Sequence, residues 1–144
     1  MMKILHSYWA YLVVLLLVIA VINAIIGLTQ NKKFTEKDTR ISLFALIVSH
    51  IQLIIGFIAY YVSSYYDTMR AVGMGEVMKD SALRKALVEH PLTIIIAIVL
   101  ITIGFSKHKK KTTDKAKFKT ITIFYTIALI LILAMIPWDL WFSA

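Results

Sequence analysis

Four histidines and no cysteine bound the chemistry open to this chain. Without thiols there can be no disulfide, thiolate metal site, cysteine-ligated iron–sulfur cluster or covalent c-type haem attachment. Imidazole is then the main ligand on offer for a haem iron. The four histidines keep different company. His6 and His90 each precede a long apolar run, His50 falls inside one, and His108 sits among lysines. An ionisable side chain within an apolar helix is costly and tends to be functional. His6, His50 and His90 are therefore the candidates, and His108 reads as a solvated loop residue. Other chemistry is missing: there is no glycine-rich phosphate loop, HExxH or GxSxG, and no acidic residue lies inside an apolar run. That last absence argues against a carboxylate-driven proton or ion transporter.

The elements that must position these residues follow from hydropathy and charge. Apolar stretches cover roughly 8–28, 41–62, 92–105 and 120–138. A bilayer core needs about 20 apolar residues per helix. The chain is 60% hydrophobic with mean hydropathy +0.79. Four spans use up its 144 residues and leave no room for a soluble domain. The runs are continuous rather than alternating, which argues against a β-barrel. The predicted fold is all-α: a single integral membrane domain over 1–144, a four-helix bundle running up-down-up-down. Its helices are predicted at about 5–29, 40–66, 90–106 and 117–142. A short helix at about 82–89 either lies on the interface or extends the third helix outward. Pro91 suits the first turn of the third helix; a helix continuing through it should kink.

Charge gives the orientation. The gaps after the first and third stretches hold eleven cations and three anions, the whole net charge of +8. The remaining segments are neutral in sum. Lys and Arg collect on the cytoplasmic side, so loops 30–40 and 106–119 are predicted to be cytoplasmic and both termini to face out. Tyr60, Tyr61, Tyr65, Tyr66, Trp9, Trp138 and Trp141 then form an aromatic belt at the outer face. Topology accounts for the basic charge, so no nucleic-acid partner is expected. The first apolar run is too long for a signal-peptide core and lacks a cleavage site, so it is expected to stay as a helix.

Depth separates the histidines further. His6 and His90 each begin a helix that enters from the outer side, on helices diagonal in an up-down bundle. Two imidazoles facing across the bundle are what a six-coordinate haem b requires; the alternative is a pair of interface histidines that snorkel to headgroups. His50 lies about 15 Å from the inner boundary, and could join Asn23, Gln52, Thr102, Tyr125 and Thr126 in a polar layer. Such a layer is a hydrogen-bonded network between helices, a haem or quinone site, or a proton path. Gly56 on the same helix would admit a flat ring or another helix. His50 and His90 differ in depth by roughly 10 Å and cannot easily pair.

Four short motifs carry a family resemblance. These are Leu5-His6-Ser7-Tyr8-Trp9, Ser49-His50-Ile51-Gln52-Leu53 ahead of Gly56, Glu89-His90-Pro91-Leu92 and Ile136-Pro137-Trp138. Together they resemble a family of small four-helix bacterial inner-membrane proteins commonly labelled cytochrome b-like, over almost the whole chain. The resemblance implies a bacterial inner (cytoplasmic) membrane location and non-covalent haem b in electron transfer. His6, His50 and His90 are the positions it carries over as ligands. The chain departs from two-haem membrane cytochromes, which use two histidine pairs within helices, so at most one bis-histidine haem is expected. Two expectations follow. One is an electron carrier, rather than an enzyme, with one haem b between His6 and His90, exchanging electrons with a membrane quinone or a neighbouring redox subunit. The other is a cofactor-free accessory subunit of a larger inner-membrane complex, with 67–90 as its docking surface. Expected partners are the lipid bilayer and either other membrane subunits or further copies of the chain.

Overall fold

The computed structural model describes residues 1–136; Pro137, Trp138, Trp141 and the end of the fourth predicted helix lie outside the described residues. The chain forms α1 (Met2–Thr29), α2 (Glu36–Tyr61), α3 (Ser64–Val72), α4 (Met74–Lys79), α5 (Ser81–Lys109) and α6 (Asp114–Met135). Among the described residues there is no strand. Helices α1, α2, α5 and α6 are long and apolar enough to cross a membrane. Only 22% to 33% of each apolar window is buried in the protein. Helices apolar all round with so little internal cover fit a multi-pass membrane protein, whose remaining surface meets lipid.

Local signals set the helix ends. Asn31 takes the left-handed conformation (φ 52°) just past α1, and the Lys32 N–H bonds the Gly27 carbonyl at 3.1 Å, a Schellman stop. The Asp38 carboxylate accepts the Thr35 N–H at 2.8 Å, so a capping box starts α2 at Glu36 rather than at the expected 40. The apolar run predicted to carry this helix to 66 breaks at Val62–Ser63, where Ser63 accepts the Tyr66 N–H at 3.2 Å and starts α3. Thr113 likewise caps α6, accepting the Ala116 N–H at 3.1 Å. Because α5 runs to Lys109 and α6 starts at Asp114, the predicted lysine loop shrinks to 110–113.

The third span differs most from expectation. Asp80 accepts the Ala82 and Leu83 N–H groups at 2.9 and 3.1 Å, and the helix it starts continues through Pro91. The 82–89 segment is thus the first part of α5 and not a separate helix. A wide turn at Lys85–Glu89 allows this, with the His90 N–H reaching back to the Lys85 carbonyl.

In the bundle each long helix packs against its neighbours in sequence and α6 closes back on α1, leaving α1/α5 and α2/α6 as diagonals. Leu17, Ala45, Ile101, Phe118, Tyr125 and Ala128 form the core. Gly27 and Gly104 let the rings of Phe118 and Phe124 press onto helix backbone. Polar ties cross the core: the Tyr125 hydroxyl donates to the Ser42 carbonyl at 2.8 Å and the Trp9 indole N–H to the Val48 carbonyl at 2.8 Å. Trp9, expected in the aromatic belt, instead spends its N–H inside the bundle. The α2–α5 seam is the least packed of the four.

Candidate functional site

The open seam holds the site, near the end of the bundle that carries the tyrosines. His6 stands one turn into α1, and Gln52 on α2 donates its side-chain amide to the His6 carbonyl at 2.8 Å. His90 follows directly on the wide turn of α5. Their ring centres are 6.2 Å apart and the ring planes meet at 75°. Gly56 lies under His6: a Cβ there would sit 3.4 Å from His6 Cε1 and 3.7 Å from Nδ1. The expectation that Gly56 admits a flat ring is met by the imidazole itself.

Hydrogen bonding fixes one tautomer. His90 Nδ1 lies 3.2 Å from the Met135 carbonyl, which belongs to the last turn of α6 and has no intrahelical donor. A carbonyl only accepts, so Nδ1 carries the proton and Nε2 keeps its lone pair. On the other side of the pair, His6 Nδ1 and Gln52 Oε1 are buried without a hydrogen-bond partner among the described residues. Buried polar atoms of this kind call for explanation, and a bound group is one. A cleft of about 280 Å³ opens beside them, lined by His6, Gly56, Tyr60, Leu87, His90 and Ile94 among others. Phe57, Tyr61 and Tyr65 stand exposed around it.

No family model, curated protein or solved structure matches the chain. What the site can do therefore rests on its own geometry. Two imidazoles on opposite sides of one metal, with metal–nitrogen bonds of about 2 Å, have ring centres roughly 6.3 Å apart. The observed 6.2 Å fits that spacing. The cleft, about 280 Å³, falls just below the range of ligand pockets, which starts at about 300 Å³, but it opens along the seam, so a planar group need not be enclosed. Among the described residues no group of three His, Cys, Asp or Glu side chains is placed to hold a metal ion.

The other histidines lie elsewhere. His50 is exposed on α2, its Nε2 at 2.9 Å from Thr102 Oγ1. Thr102 gives its one hydroxyl proton to the Ile98 carbonyl at 2.8 Å, so it accepts from His50 Nε2–H. Of the polar layer expected around His50, only the contact with Thr102 forms among the described residues. Asn23 Nδ2 donates to Asp38 Oδ1 at 2.8 Å, Tyr125 goes to Ser42 and Gln52 to His6. Similar depth did not mean the same face of the bundle. His108, expected in a solvated loop, is only 2% exposed. Its Nδ1–H bonds the Phe105 carbonyl, and its ring packs 5.3 Å from Phe34 and 4.7 Å from Phe105. It is buried because α5 continues past it and Phe34 folds over from the facing loop, where the Phe34 N–H bonds Asp114 Oδ1 at 3.0 Å.

Tyr60 was not singled out by itself in the sequence, only as part of a belt. Its hydroxyl donates to the Leu87 carbonyl at 3.0 Å across the cleft. The available signal was Pro91, which cannot supply an N–H to the carbonyl four residues before it.

Proposed function

We propose that this chain is a membrane electron carrier that holds one haem b non-covalently between His6 and His90. We further propose that it lies in a bacterial cytoplasmic membrane with both termini and the cleft on the outer (periplasmic) side, the lysine-rich end facing the cytoplasm. One observation carries the functional part: two imidazoles from diagonal helices meet edge-on, with ring centres 6.2 Å apart, beside an apolar cleft. The resemblance to cytochrome b-like four-helix proteins points the same way. His6 and His90 would hold the haem iron. The Met135 carbonyl, by taking the His90 Nδ1–H, orients that ring and raises its basicity. Leu87 and Ile94, which line the cleft, would limit water there and so influence the potential of a bound haem. Haem, when bound, supplies the one-electron chemistry. The open seam would let electrons pass to a membrane quinone or to a neighbouring redox subunit.

One observation favours the cofactor-free accessory subunit as a second reading. Both rings already have packing or bonding partners in the protein: His90 satisfies the end of α6, and His6 covers Gly56. A reduced-minus-oxidised absorption spectrum of detergent-purified protein, made with ample haem, separates the two. The expected result is a sharp low-spin b-haem band in the parent protein and in His50→Ala, and its loss in His6→Ala and His90→Ala. Equal haem content in all four, or none in the parent, overturns the assignment.

A further inference from the structure

A helix that runs through a proline loses one N–H and presses the proline ring on the carbonyl four residues earlier. In α5 the proline is Pro91 and that carbonyl belongs to Leu87. Two features answer this. The turn Lys85–Glu89 widens, with the His90 N–H bonding the carbonyl of Lys85 five residues back. The Leu87 carbonyl then takes the Tyr60 hydroxyl at 3.0 Å. Arg84 and Glu89, also five apart, pair at 2.7 Å. In a regular α-helix, residues five apart do not face each other, so this ion pair belongs to the wide turn.

We propose that Tyr60 is a positioning residue for His90. By taking the carbonyl that Pro91 leaves without a donor, its hydroxyl fixes the wide turn on which His90 sits and ties α2 to α5 across the cleft. His90 is held from both sides of its ring position: its backbone N–H by Lys85 and its Nδ1 by Met135. The first of these holds only while the turn keeps its shape, and Tyr60 is the one side chain that bonds the turn's backbone from another helix among the described residues. Wide turns of this type are frequent at functional sites. This inference rests on the haem proposal only in giving His90 a ligand to hold.

The test is a double-mutant cycle read without haem. Tyr60→Phe removes the hydroxyl and keeps the ring. Pro91→Ala restores an N–H that can take the Leu87 carbonyl. In detergent, Y60F should lower the melting temperature of the parent protein and lower that of P91A much less. Hydrogen exchange over 81–95, followed by mass spectrometry, should speed up in Y60F and stay unchanged in Tyr61→Phe. An equal loss of melting temperature in both backgrounds, or equal exchange in Y60F and Y61F, overturns the proposal. With haem supplied, Y60F should shift the parent's low-spin spectrum partly to high spin, and Y61F should not. If the parent takes no haem, the haem proposal fails, while the cycle and the exchange data still decide the role of Tyr60.

Discussion

Gly56 offers a test of the histidine pair that leaves both histidines in place. A Cβ at this position would lie 3.4 Å from His6 Cε1 and 3.7 Å from Nδ1, which is ordinary contact. Gly56→Ala therefore needs no movement of the ring. Alanine in a helix interior is favoured over glycine by about 1 kcal/mol, so the expected change is a gain of between zero and about 1 kcal/mol. Leucine carries two further carbon–carbon bonds beyond Cβ, a reach of about 2.5 Å. The Cβ is already at contact distance from the ring, so a leucine side chain directed at His6 has no free space, and either His6 rotates away or α1 shifts at its start. Overpacking of this kind costs about 1–3 kcal/mol. The sign should thus reverse between the two substitutions. Unfolding in detergent, followed by circular dichroism, measures it. On the haem proposal, haem content should hold in G56A and fall in G56L, because the 6.2 Å spacing of the rings is lost. A leucine variant as stable as the alanine variant and with an unchanged haem spectrum would refute the placement of His6 over Gly56.

Two further substitutions probe the lysine-rich end. Gly27→Ala drives a methyl into the Phe118 ring, which is itself buried; the expected loss is about 1–3 kcal/mol in the same unfolding assay, opposite in sign to Gly56→Ala. Asp38→Ala removes the acceptor for the Asn23 amide and for the Thr35 N–H, and should cost about 1–2 kcal/mol as a lost helix cap. An unchanged midpoint in either variant contradicts the packing described.

Hydropathy and lysine placement were enough to read four long helices, because both are properties of whole segments and survive errors of a few residues. The pairing of His6 with His90 was also legible, since depth and helix order place both at one end of diagonal helices. Direction around a helix was not legible. His50 and Asn23 were matched in depth, but one points into the α2–α5 seam and the other toward Asp38. Helices this uniformly apolar carry little moment to say which face turns inward. His108 was misread for another reason: its lysine neighbours are at the end of a helix whose cover, Phe34, comes from a loop 74 positions away in the sequence. Pro91 shows a local preference overridden by a partner. The N1 rule for proline assumes that no side chain stands ready to take the orphaned carbonyl, and here Tyr60 does.

The two ends of the bundle solve opposite problems. At the lysine-rich end every short connection is pinned. Phe34 bonds Asp114 and stacks on His108 and Phe118, Asp38 ties α2 to α1 through Asn23, and Gly27 brings α1 and α6 close. At the other end the α2–α5 seam is open, two buried polar atoms lack partners, and the backbone of α5 departs from regular geometry beside the histidines. Departures from local rules are expected to gather where a protein gives up stability for function. A bundle locked at one end can hold such a seam open at the other, because the helices cannot splay without breaking the lock. The wide turn of α5 and the unpartnered atoms of His6 and Gln52 thus fall on the side of the molecule where the two imidazoles meet.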